Sequence, residues 1–171
     1  MGAELTHGLD LSGCTTLDEV RQALAREVRS LAPGAWLHGW GLDPNVFGDR
    51  PVASAALGPV LDGVPALLLL FDAHSMLASP RALELAGVDG PRSFEQFAEI
   101  VCDEAGRPTG LLLEDAACEL VERAAPRIAP AERRARLASA LRDVSRRAHR
   151  RPRDGRQRRE PVAVRRTRRG G

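Results

Sequence analysis

Asp72 and His74 put a carboxylate and an imidazole two residues apart, directly after the apolar run Val64–Phe71. On an extended backbone alternate side chains share a face. The pair can therefore contact a substrate and order its pocket, or it can close the strand end through a carboxylate–imidazole hydrogen bond. Two donors do not make a metal site. An ion that activates water needs several His or carboxylate ligands in fixed geometry and one open position. Glu114 is the next candidate. It follows the return strand of a hairpin read over Glu99–Leu113 and stands at the mouth of the following helix. There it is either a pocket carboxylate or an acid stabilised by the helix dipole. His7 is a single histidine, and His38 reads as the surface residue of a strand.

The elements that must position these residues follow from periodicity. Leu17, Val20, Leu24, Val28 and Leu31 recur at helical spacing and predict a helix over Leu17–Leu31. Thr16 and Glu19 form a capping box at its start, and Pro33-Gly34 ends it. A short strand is expected over Trp36–Trp40, a loop over Gly41–Val52 and a short helix over Ser54–Leu61. Pro65–Asp72 is almost wholly apolar, which suits a strand buried on both faces. Ser79 as N-cap and Pro80 at the first helical position open a helix that closes at Gly87. In the hairpin, Asp103 and Gly106 bracket a polar turn, and Thr109-Gly110 lets backbone approach closely. Helices are expected over Asp115–Ala125 and Pro130–Ala148, the last with Leu137, Leu141, Val144 and Ala148 as its apolar seam.

The chain has 171 residues, one domain's worth, and all 25 of its basic residues are Arg. Without lysine it has no Schiff-base amine and no carboxylated lysine ligand. The net charge of +2 hides a split: residues 1–144 hold 13 Arg against 21 Asp and Glu, a net of −8, and residues 145–171 hold 12 Arg against two acids, a net of +10. Cys14, Cys102 and Cys118 show no C-x-x-C spacing and read as small core fillers, reduced in a cytoplasmic protein. The N-terminus carries no basic-then-apolar export pattern, and no apolar run is long enough to span a bilayer.

Five segments carry a resemblance. Asp103-Glu104-Ala105-Gly106-Arg107-Pro108-Thr109-Gly110-Leu111-Leu112-Leu113-Glu114 resembles the "D-x-x-G-x-P-T-G-x-L-x-E" segment of amidohydrolase family 3, which includes N-substituted formamide deformylases. Leu9-Asp10-Leu11-Ser12-Gly13-Cys14 with Leu17-Asp18-Glu19-Val20 is similar to its opening "V-D-L-S-G-C, S-L-D-E-V". Pro33–Asp43 is similar to "P-G-x-W-V-x-G-x-G-W-D", Phe71-Asp72-Ala73-His74-Ser75 to the "D-G-H" box, and Ala82–Val88 to "A-L-x-L-A-G-I". The matches run in order over residues 9–145. The family has Asn where this chain has Ser79, so an amide contact is expected to be lost.

The resemblance implies an α/β fold, a metal-dependent (β/α)₈ barrel hydrolase active at the C-terminal strand ends. This stretch would be the excursion between the first two barrel strands. It is expected to be locally α+β, with short strands, a hairpin, about five helices and no closed barrel. The implied activity is hydrolysis of non-peptide carbon–nitrogen bonds in small amides or formamides, with a divalent metal, zinc, polarising the carbonyl. The family's first ligand pair, His-x-His, has no counterpart here. The chain is therefore expected to be a truncated segment that holds no metal tightly and is inactive alone. Trp40 and Asp43 join Asp72, His74 and Glu114 as pocket candidates, although Trp36 and Trp40 also read as core.

Residues 1–148 are expected to be the partial hydrolase domain. Residues 149–171 are expected to be an Arg-rich, disordered tail. That tail has three readings: an arm for nucleic acid or another polyanion, a solvated segment, or out-of-frame translation, the last favoured where the family would continue as "L-G-x-T-G-V-H". An arm would make the chain a non-enzymatic binding module, but no aromatic interleaves the arginines as a stacking platform for single strands. No membrane partner is expected. Leaving out barrel strands would expose the apolar faces of Val64–Phe71 and of the last helix, which favours self-association.

Overall fold

The Thr16–Glu19 capping box closes in the computed structural model, which describes residues 8–126 except Gln96. The Thr16 hydroxyl accepts the Glu19 N–H, and Glu19 Oε2 accepts the N–H groups of Thr15 and Thr16 at 2.7 and 3.2 Å. Helix α1 runs over Leu17–Val28 and buries Leu17, Val20, Ala23 and Leu24. It stops short of Leu31 because i→i+3 bonds from Ser30 and Leu31 tighten the chain into a turn before Pro33. The helix expected over Pro130–Ala148, the tail and His7 lie outside the described residues.

Among the described residues six strands form one open sheet: β1 (Leu9–Asp10), β2 (Leu37–Leu42), β3 (Ala66–Leu70), β4 (Ser75–Ala78), β5 (Glu99–Cys102) and β6 (Pro108–Leu113). Their order is β1-β2-β3-β4-β6-β5. The pairs β1–β2 and β2–β3 are parallel, and the other three are antiparallel. The described architecture is thus α+β with no barrel closure, as expected. β2 runs two residues further than predicted. The expected loop after it holds a 3₁₀ turn at Pro44–Phe47, and Ser54–Leu61 is 3₁₀, broken at Gly58, and not α-helical.

Every residue of β3 is buried. Ala66, Leu68 and Leu70 pack with α1 and the Ser54–Leu61 segment, and Leu67 packs with α2 (Pro80–Leu85) and α3 (Glu114–Glu122). Burying a leucine contributes about 1.5–3 kcal/mol. The expectation that this strand exposes an apolar face is therefore corrected: elements of this chain cover both sides, and only Phe71, beyond the strand, emerges at 65% exposure. Leu85 and Phe97 are the other large exposed apolar residues among those described.

The Ser79 hydroxyl, fully buried, ties three elements together. It accepts the N–H of Ala66 (2.9 Å) and of Ala82 (3.2 Å) and donates to the Val64 carbonyl (2.7 Å). With that cap α2 opens as expected, and Gly87 in the left-handed region turns the chain out of it.

Candidate functional site

The sheet register gathers the predicted residues, except Trp40, at one end. Leu42 of β2 lies beside Leu70 of β3, and the Phe71 N–H donates to the Leu42 carbonyl at 3.0 Å. Asp43 and Phe71 therefore leave the sheet together. Ser75 of β4 pairs with Leu113 of β6, so His74 and Glu114 come one step later on neighbouring strands about 5 Å apart. Asp72, His74 and Glu114 are exposed; Asp43 is half-buried. Trp40 lies within β2, half-buried, level with Asp10 of β1. His38, expected at the surface, is half-buried with its ring stacked on Trp36 at a centroid distance of 6.4 Å.

Asp72 and His74 do not share an extended face. They occupy the turn between β3 and β4, with Ala73 at φ +60°. The carboxylate holds backbone and not the imidazole: Asp72 Oδ1 accepts the N–H groups of His74 and Ser75, each at 3.0 Å. Partial burial raises the Asp72 pKa, but these donors outweigh it and hold the carboxyl below its ordinary value. Asp43 makes the same kind of turn, Oδ1 accepting the Asn45 N–H at 2.8 Å.

Glu114 is the first residue of α3, as the sequence implied, but at φ +67°. A non-glycine residue in this region costs about 1–2 kcal/mol and is held there by its surroundings. β6, anchored on both sides by β4 and β5, fixes the approach. Within β6, the Thr109 hydroxyl donates to the Val101 carbonyl at 2.9 Å, and a methyl group on Gly110 would lie 2.5 Å from the Ala78 oxygen. The Thr109-Gly110 pair thus lets strands approach, as expected. Cys118 on α3 is buried, and burial pushes its thiol up to about 12, too high for a nucleophile.

Sequence reasoning did not single out Asp10 or Phe71. Asp10 ends β1 as Asp43 follows β2, and its Oδ1 accepts the Ser12 N–H at 3.0 Å. The signal was available: an Asp that closes an apolar strand segment recurs at Asp10, Asp43 and Asp72. Among the described residues no three His, Cys, Asp or Glu side chains converge to hold a metal ion. A groove of about 160 Å³ lies at the opposite end of the sheet, lined by Val28, Leu31, Pro33, Val64 and Pro65 among others. None of the predicted residues reaches it. No described helix is long and apolar enough to cross a membrane.

The sequence profile of the Amidohydrolase family matches residues 1–155. An N-substituted formamide deformylase of Arthrobacter pascens is 33% identical over 103 residues, 60% of this chain and 19% of that protein. The YtcJ protein of Bacillus subtilis is 31% identical over 137 residues, 79% of this chain and 26% of its own length. This chain thus spans about a fifth to a quarter of the curated relatives it matches. An uncharacterised metal-dependent hydrolase of Pyrococcus horikoshii aligns in structure over 68% of this chain and 20% of its own, with a TM-score of 0.47 and 22% identity.

Proposed function

This chain belongs to the amidohydrolase family, and from that membership we propose that it is a segment of a metal-dependent hydrolase of non-peptide carbon–nitrogen bonds in small amides or formamides. The observation that carries the reading is the family match over residues 1–155, supported by a relative named for N-substituted formamides. In such an enzyme a divalent metal, zinc, would polarise the scissile carbonyl and supply activated water. The described residues do not fit that ion, since no three donors converge. Their part is to present the strand end that carries Asp43, Asp72, His74 and Glu114 toward substrate, with Trp40 set back within β2.

The 171-residue chain is accordingly inactive alone. Purified chain supplied with zinc and assayed on N-substituted formamides should give no turnover. Metal-dependent turnover would refute the inactivity, and turnover abolished in H74A or E114Q would give those residues a direct role. The Arg excess of residues 145–171, 12 Arg against two acids, keeps polyanion binding as the second reading. A salt-sensitive gel shift lost on deleting residues 149–171 would establish it.

A further inference from the structure

We infer that Asp10, Asp43 and Asp72 are one repeated device: each stops a parallel strand by holding the backbone N–H two residues on, and none of the three is a metal or substrate ligand. The inference narrows the strand end described above to His74 and Glu114. It rests on the proposed function only in taking that end to face substrate. β1, β2 and β3 are the parallel strands, and an aspartate ends or follows each within two residues. In all three, Oδ1 is the acceptor: from Ser12 N–H at 3.0 Å, from Asn45 N–H at 2.8 Å, and from His74 N–H at 3.0 Å. The Asp10 carboxylate also takes the Ser12 hydroxyl at 2.6 Å, and Asp72 takes the Ser75 N–H.

The geometry explains the residue type. β1 and β2 each lead into a crossover and β3 into a tight turn to β4, so at each of the three ends the chain must leave its strand sharply. An Asp or Asn side chain that accepts the N–H two residues on imitates a backbone turn. Asp103, directly after the antiparallel strand β5, holds the Ala105 N–H at 2.9 Å in the same way, so the device marks strand ends in both halves of the sheet. Asp10 lies beside Trp40, three residues before Asp43 on the neighbouring strand. That offset is about 10 Å along the sheet, which keeps Asp10 away from Asp43 and Asp72.

Asparagine separates a turn from a ligand. Its Oδ1 accepts the same N–H, but it lacks the negative charge that makes an aspartate a strong ligand for a metal ion or a cationic substrate. The test is thermal unfolding of the full chain carrying D43N, D43A, D72N or D72A, with and without excess zinc. The Asn variants should melt within about 2 °C of the parent, and the Ala variants about 3–5 °C lower. Zinc should shift parent and Asn variants alike or not at all. Asn variants that fall as far as Ala variants, Ala variants that do not fall, or a zinc-induced rise abolished in D43N or D72N would each overturn the inference. None of these readings depends on turnover, so absent hydrolysis leaves the inference standing.

Discussion

Two hairpins in this sheet begin with an aspartate and turn through a left-handed residue: Asp72 and Ala73 between β3 and β4, Asp103 and Gly106 between β5 and β6. Both aspartates hold the N–H two residues on. The second turn adds a backbone pair, Gly106 N–H to Asp103 O at 2.9 Å and Asp103 N–H to Arg107 O at 2.8 Å. It also adds an exposed Arg107–Asp103 ion pair at 2.8 Å, a contact of the kind that contributes little by itself. Gly106 enters the left-handed region freely, with open space around it. Ala73 enters it against its Cβ. The first turn is thus held by its surroundings, the all-buried β3 and the paired β4; the second is favoured by its own residues. A strained turn kept at a strand end beside His74 marks where the molecule gives up stability for geometry.

The strongest way to break this comparison is to attack the strand that serves both sides of it. β6 pairs with β5 and with β4, and Gly110 Cβ would meet the Ala78 carbonyl at 2.5 Å. G110A should destabilise the chain by about 3 kcal/mol, read as a lower urea midpoint. An unchanged midpoint would mean the two halves of the sheet do not depend on that approach. Glycine swaps sharpen the contrast with opposite signs. G106A should cost about 1 kcal/mol, and A73G should gain about as much, because only backbone strain changes. Equal signs in the two variants would end the claim that one turn is strained and the other relaxed.

Acid gives the smallest effect. The Arg107 backbone N–H, followed by its side chain, holds the Asp103 carboxyl below its ordinary value, and the turn donors do the same at Asp72 against burial. A depressed carboxylate pKa contributes stability above the unfolded value and loses it as pH falls through the folded one. Melting temperature should therefore stay level down to about pH 4 and then decline, and the decline should be shallower in D72N and D103N. A decline that starts near neutral pH would point to other groups.

The same contrast explains what was legible. The β5–β6 hairpin shows in the sequence because Asp103, Gly106 and Pro108 punctuate it. The β3–β4 hairpin does not, because Phe71-Asp72-Ala73-His74 contains no Gly or Pro. Ser75–Ala78 is buried at three of its four positions, so no polar alternation separates β4 from the run before it. Helix α1 was readable to its cap because the capping box is local. Asp72 and His74 were correctly placed at a strand end, but their spacing reads the same in a turn as in a strand. Only the partners of Oδ1 distinguish the two. Asp43 and Glu114 reach that end through long-range register, which composition does not encode.

The change of direction at β3 has a kinetic consequence. On one side, β3 meets β4 across the Phe71–His74 turn. On the other, it meets β2 only after the chain has passed through Asp43–Pro65. Closing a longer loop costs more entropy before any contact offsets it. Assembly therefore starts at the antiparallel pair and adds β2 and then β1. In pulse-labelled hydrogen exchange during refolding, the amides of Met76–Ala78 should gain protection before those of Leu37–Gly39.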